Sequence, residues 1–208
     1  MTTCIILFFD YGFLNVFGGF KRKFNNTTGS ENTFIGQDAG RNNTTGSLNT
    51  FIGKSVGLSN STGIGNTFIG WSAGSDNTIG GSNTFIGMLA GFENTVGSLN
   101  TFIGKDAGRR NTSGDFNVFL GNRSGEDNTS GSNNTFVGND AGRNNTTGEV
   151  NTFIGESAGH NNTTGELNTF IGQDAGFDNT TGNSNTFVGE DTGACLLYTS
   201  DAADEVSW

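Results

Sequence analysis

The stretch from Asn32 to Asn49 reads NTFIGQDAGRNNTTGSLN, and close variants of it fill most of the 208-residue chain. The asparagine that opens the phrase recurs every 17 residues, without insertion or deletion, at Asn15, Asn32, Asn49, Asn66, Asn83, Asn100, Asn117, Asn134, Asn151, Asn168 and Asn185. A fixed period this short is typical of a solenoid, in which each repeat is one supersecondary unit stacked on the next. The sequence therefore predicts an elongated rod of 17-residue coils.

Within each coil, numbered from the opening asparagine as +0, a few positions hardly change. Phe at +2 and Gly at +4 occur in every copy, Gly at +8 in all but one, and Asn at +11 and Gly at +14 in every copy that reaches them. No helical period appears, and three glycines per coil disfavour a helix. Because Thr, Phe and Ile favour extended structure, NTFIG predicts a strand, and NTTG suits a second one. The glycines at +4, +8 and +14 are predicted to form corners with positive φ.

The predicted fold class is thus all-β: a β-solenoid of the parallel β-roll or β-helix type, with two short strands per coil. Stacking turns invariant positions into ladders, an aromatic stack at +2 and amide hydrogen bonds at +11. The predicted structural ladders comprise Phe34, Phe51, Phe68, Phe85, Phe102, Phe119, Phe136, Phe153, Phe170 and Phe187, with Asn43, Asn60, Asn77, Asn94, Asn111, Asn128, Asn145, Asn162 and Asn179.

Positions +2 and +3 are both apolar, although neighbouring residues of a strand point to opposite faces. A strand with one solvated face would alternate instead, so both faces of this strand are predicted to be covered. An apolar stripe along the whole rod is a surface that soluble monomers avoid. The expected cover is an identical chain.

The sequence divides into three parts. Residues 1–14 are interpreted as a divergent or damaged N-terminal segment, and residues 15–194 as the solenoid. Residues 195–208 lose both the period and the composition, and the part up to Glu205 resembles the translation of a sequencing adapter read in frame. We therefore expect residues 195–208 to lie outside the fold.

The composition and charge of the chain limit the classes of molecule that it is expected to bind. The formal net charge is −10 and the isoelectric point is near 4.3, which argues against nucleic acids and anionic membranes. The apolar run CIILFF at residues 4–9 is too short to cross a bilayer, so no membrane insertion is expected. Cys4 and Cys195 form neither a metal-binding nor a redox spacing.

No residue pattern points to catalysis. His160 is the sole histidine, at a position that holds Arg, Leu, Phe, Ser or Glu in other copies, and is interpreted as a solvated corner residue. Asp recurs at +6 in only some coils (Asp38, Asp106, Asp140, Asp174 and Asp191), and the calcium-binding roll motif is not matched. We expect no catalytic residue, no metal site and no cofactor, and hence no enzyme.

The Asn-Thr-Thr triplets match N-glycosylation acceptors but are interpreted as corner chemistry. The variable positions +5, +6, +9, +10 and +15 are predicted to lie on the outside, where any ligand, itself unknown, would bind.

The pattern NTFIG, then AG, then NTTG resembles the YadA-type head repeats of trimeric autotransporter adhesins. Similar repeats occur in phage-like tail fibres and large bacterial surface proteins. Ile35-Gly36 and Ile52-Gly53 match the Ile-Gly of that family, and Ala39 matches its small-residue strand. The family unit is usually shorter, and it often has Ala where this chain has Phe.

The resemblance implies a left-handed parallel β-roll, a homotrimer of chains side by side and an extracellular place at the bacterial cell surface. It also implies binding to a host, matrix or surface ligand. The alternative is an ice-binding β-solenoid, because threonines at +1, +12 and +13 could form the regular rows that ice binding requires. At +13 four coils have another residue in place of threonine, which would interrupt such an array: Ile79, Val96, Ser113 and Ser130.

Overall fold

The computed structural model describes residues 4–10, 13–19 and 25–193, which contain twelve β-strands and no α-helix. The strands are β1 (Cys4–Asp10), β2 (Phe13–Gly19), β3 (Thr33–Ile35), β4 (Thr50–Ile52), β5 (Thr67–Ile69), β6 (Thr84–Ile86), β7 (Thr101–Ile103), β8 (Val118–Leu120), β9 (Thr135–Val137), β10 (Thr152–Ile154), β11 (Thr169–Ile171) and β12 (Thr186–Val188). They form one sheet in chain order. The prediction for residues 195–208 lies outside the described residues.

From β2 onward every strand pairs in parallel with the next, at a constant offset of 17 residues. Phe34 therefore lies opposite Phe51, and Phe51 opposite Phe68. The predicted all-β parallel solenoid, with about ten turns of 17 residues, is confirmed. At its N-terminal end, β1 pairs with β2 in antiparallel register, from Cys4 opposite Gly19 to Asp10 opposite Phe13.

Each turn contains one strand, so the predicted second strand at NTTG is not confirmed. In that segment the backbone N–H groups of Thr44, Thr45 and Gly46 all donate to the single carbonyl of Ser61 in the following coil. A strand ladder would instead spread its hydrogen bonds over alternate residues. The three donors converge because the backbone bends there, although it stays hydrogen-bonded to the next coil.

The core of the rod is a column of phenylalanine rings. The rings of the +2 column are stacked nearly parallel, with centroids 4.7–5.1 Å apart from Phe17 to Phe187. Small side chains at +7, mostly alanine, are fully buried beside them. The spacing of the rings matches the separation of neighbouring strands, so one coil contributes one layer of core.

The glycines serve two different purposes. At +4 and +8 the predicted positive φ is confirmed, for example 134° at Gly36 and 59° at Gly40. At +14 it is wrong, because these glycines have no left-handed backbone. A Cβ on Gly46 would collide instead with the carbonyl oxygen of Gly63 and the side-chain oxygen of Asn43. Position +14 therefore requires glycine for space, while +4 and +8 require it also for conformation.

Candidate functional site

Two columns of buried asparagines bind the coils together from inside. In the +11 column, Asn60 Nδ2 donates to Asn43 Oδ1 of the preceding coil at 2.7 Å, and Asn43 Nδ2 also donates to the Gly46 carbonyl at 2.9 Å. The same pattern repeats down to Asn179. Because these amides are buried and already bonded, they are unavailable to a ligand or a glycan. Their role is structural, because they stabilise the corner of each coil, as interpreted from the sequence.

The second column, at +0, has a role that sequence reasoning missed. The backbone N–H of Asn49 donates to Asn32 Oδ1 at 3.0 Å, and Asn32 Nδ2 donates to the Gly46 carbonyl at 2.8 Å. The carbonyl at +14 thus accepts hydrogen bonds from both asparagine columns. The invariance of +0 in all eleven copies was the available signal.

Hydroxyl and carboxylate groups at +12 and +15 accept or donate further hydrogen bonds between the backbones of neighbouring coils. At +12, Thr44 Oγ1 donates to the Ser61 carbonyl of the next coil at 2.9 Å. At +15, predicted to be variable surface, a side chain accepts the N–H of the preceding coil: Asp115 Oδ1 lies 2.7 Å from the Ser98 nitrogen. Position +15 therefore has a structural role in the coils where its side chain accepts this hydrogen bond, at Ser47, Ser98, Asp115, Ser132 and Asn183.

The +6, +9 and +10 columns carry a charge-alternating patch across three coils, made by Asp106, Arg109, Arg110, Arg123, Glu126, Asp127, Asp140 and Arg143. Glu126 lies between Arg109 and Arg143, at 3.7 and 3.0 Å. Arg123 pairs with Asp140 at 2.7 Å, and Arg110 pairs with Asp127. The middle coil thus has the opposite sign from both neighbours at +6 and +9, and from the preceding coil at +10.

This patch corrects the prediction that +6 and +9 lie on the outside. Asp106 and Asp140 are 7% exposed and Glu126 is 8% exposed. Arginines of adjacent coils pair with Glu126 and Asp140, and Lys105 of the same coil pairs with Asp106. The patch holds coils together, and its carboxylates already have cationic partners in Lys105, Arg109, Arg123 and Arg143.

His160 is not the solvated corner residue that was predicted. Its ring is half-buried and stacks on Phe177 of the next coil, with centroids 4.9 Å apart and planes 10° from parallel. Its Nδ1 lies 2.9 Å from Asn161 Oδ1. The ring continues the rod's stacking at +9.

Elsewhere on the surface, burial raises the pKa of Asp76, and a hydrogen bond from Ser75 partly opposes this rise.

The outer strand face, defined as positions +16, +1 and +3, is the most distinctive surface of the rod. Burial alternates along it: Leu48 is exposed, Asn49 buried, Thr50 half-buried, Phe51 buried and Ile52 exposed. The +3 side chains are 36–65% exposed at Ile35, Ile52, Ile103, Ile154, Ile171 and Val188. From residue 31 onward, Glu31 is the single charged residue at these three positions. The rod's charges occupy its other sides.

No protein-family model, curated protein or solved structure matches the chain. Among the described residues, no group of three or more His, Cys, Asp or Glu side chains could hold a metal ion. The part of the chain that the structure describes contains no helix long and apolar enough to cross a membrane.

Proposed function

We propose that this chain is a structural and adhesive rod segment, without enzymatic activity, in a fibre at the bacterial cell surface. The observation that carries the proposal is the outer strand face, which has no charged residue from Leu48 onward and repeats its isoleucine and threonine in coil after coil. The invariant interior side chains already stack or hydrogen-bond within the rod. What the chain offers to other molecules is length, stiffness and a repeated surface.

The partner at this face is, in our proposal, the same chain, in a homotrimer of parallel rods. Interface cores are depleted of charged residues, as this face is. The exposed isoleucines at +3 are 36–44% exposed, so covering each one contributes about 0.6–1.2 kcal/mol, and a row of them supplies a driving force for association. Threefold closure and the place at the cell surface rest on the resemblance to adhesin head repeats.

Ligand binding belongs, in this proposal, to the exposed side chains at +5. They differ from coil to coil, as Gln37, Lys54, Trp71, Met88 and Lys105 show, and they are exposed. Variation on a constant scaffold is where recognition is usually found. The ligand would be a host, matrix or surface molecule, and the fibre an adhesin or a tail fibre.

Light scattering on the full chain tests the assembly directly. The proposal predicts a particle of three 21.7 kDa chains that persists at low micromolar concentration. A dimer would remove the threefold claim. A soluble monomer at every concentration would contradict self-association altogether.

A second candidate function is ice binding, which the threonine row at +1 favours. This row lies on the strand, half-exposed from Thr33 to Thr169 and interrupted by Val118. The +12 hydroxyls are less suited, because they already donate to backbone carbonyls. Thermal hysteresis of a solution of the chain separates the two functions: ice shaping at micromolar concentration would favour ice binding, and none is expected of a fibre segment.

A further inference from the structure

Position +16 combines two unfavourable features in the same residues. Five coils place a large apolar side chain there, and these side chains are 48–57% exposed. The backbone at the same residues is left-handed, with φ between 57° and 60°. The five residues, called the anchor column below, are Leu48, Leu99, Phe116, Val150 and Leu167.

Neither feature helps an isolated rod. The left-handed region is uncommon for residues other than glycine, and a bulky or β-branched residue such as Val150 is an outlier there. Other coils fill the same corner with Gly65 or Asn133, which tolerate this conformation. The corner thus accepts better-suited residues, yet five coils use apolar ones. Residues with strained backbone conformations are concentrated at active sites, ligand-binding sites and switch regions of proteins.

We propose that the anchor column inserts into a second copy of this chain and fixes the contact between neighbouring rods. This inference rests on the proposed function and names the residues that would hold the assembly together. Large apolar anchors surrounded by weaker contacts are the usual source of affinity at protein interfaces. Here the weaker contacts are the threonines at +1 and the isoleucines at +3.

A second copy fits this surface better than an unrelated partner for two reasons. The face is charge-free over nine successive coils, so its partner must present an equally long charge-free surface, which this chain itself has. Its size also suffices. Ten coils at about 4.8 Å and three columns about 7 Å apart give a face of roughly 45 by 15 Å. That projected area of about 700 Å² is close to the ~800 Å² per partner of a stable interface.

The test replaces the three central anchors in the full chain, as Leu99→Asn, Phe116→Asn and Val150→Asn together. Asparagine occupies this corner naturally at Asn133, so each rod should fold as before and, once diluted to monomer, melt at the same or a higher temperature. The dissociation constant of the assembly should rise about 100-fold or more, as expected from the loss of several anchors.

The matched control is Ile79→Thr with Val96→Thr. These side chains are also exposed, but they lie at +13, away from the outer strand face, and threonine is the usual residue there. The control should leave the dissociation constant unchanged. Equal weakening by both sets of substitutions would overturn the anchor assignment.

Other outcomes separate this inference from the proposed function. If the wild-type chain assembles and the triple variant assembles equally well, the anchors are refuted while self-association stands. If the wild-type chain is a monomer throughout, self-association itself fails. Should the triple variant not fold, a photoreactive phenylalanine analogue at Phe116, compared with one at Ile79, gives the answer. Cross-links between chains from Phe116 alone support the proposal, and cross-links from neither position or from Ile79 alone contradict it.

Discussion

The substitution Phe102→Ala tests the aromatic column in the middle of the rod. Phe102 is fully buried, and its ring lies 4.8 Å from the rings of both Phe85 and Phe119. Removing a buried phenylalanine costs about 3–5 kcal/mol, from lost transfer free energy and the cavity that remains. Each lost ring pair contributes a further ~0.5–1.5 kcal/mol. Hydrogen bonds between coils fix the distance between layers, so the neighbouring rings cannot collapse into the space. We therefore expect the free energy of unfolding to fall by about 5 kcal/mol, the upper end of the range for a buried phenylalanine.

Urea denaturation followed by far-ultraviolet circular dichroism measures this loss. A matched control is Phe187→Ala in the last described coil, where the ring is only partly buried and Phe170 is its one stacking partner among the described residues. The control should lose about half as much free energy of unfolding or less. A loss below about 1 kcal/mol at Phe102 would refute the reasoning, because a fully buried ring cannot be removed so cheaply.

Three further variants probe other columns. Gly108→Ala should cost more than about 2 kcal/mol, because φ is 56° and the new methyl group would meet the Phe102 ring; an unchanged melting temperature would contradict this. Arg123→Asp with Glu126→Arg gives the middle coil the same signs as its neighbours. At ~5 Å and an effective dielectric constant near 20 each like-charge contact costs up to about 3 kcal/mol, so stability should fall and partly recover in 1 M NaCl. A loss of stability that does not depend on the salt concentration would mean that the patch acts through packing. Asp76→Asn should raise the melting temperature at pH 7, because burial disfavours the charged carboxylate and raises its pKa. This advantage should shrink as pH falls and wild-type Asp76 becomes protonated, and an advantage independent of pH would exclude the carboxylate as its cause.

Much of the fold could be predicted because the repeats of the chain can be aligned with one another. A residue that stays the same in every coil is held by the coil above and the coil below, and this identifies Phe34 and Asn43 as members of internal columns. Which strand face points into the coil was not predictable in this way: the structure buries Phe34 and leaves Ile35 44% exposed. The period of 17 supplied the register, which single sequences rarely reveal.

What could not be predicted depends on backbone geometry that leaves no trace in residue type. The NTTG segment has the composition of a strand, yet three N–H groups converge on one carbonyl and bend it. Position 46 requires glycine because a Cβ would collide with neighbouring atoms, and not because its φ is positive. A glycine in the sequence does not show which of these two reasons applies. Left-handed corners at +6 and +16 contain residues as different as Asp38, Arg123 and Val150, so no preference marks them. The patch around Glu126 is not visible in any single coil, because its ion pairs join residues 17 positions apart in the sequence.

The central claim is that rods of this chain lie side by side, in parallel and in register, across the outer strand face. Distances between spin labels on different chains test it most directly. Single cysteines would replace Lys54, Lys105 or Glu156, all exposed at +5 beside that face, in a chain whose own cysteines are changed to serine. Because faces pack about 10 Å apart, parallel rods in register predict one short distance, about 10–25 Å, that is the same for all three sites. A distance that is short at Lys105 and long at both other sites would indicate antiparallel rods, and the absence of any distance between chains would contradict the account.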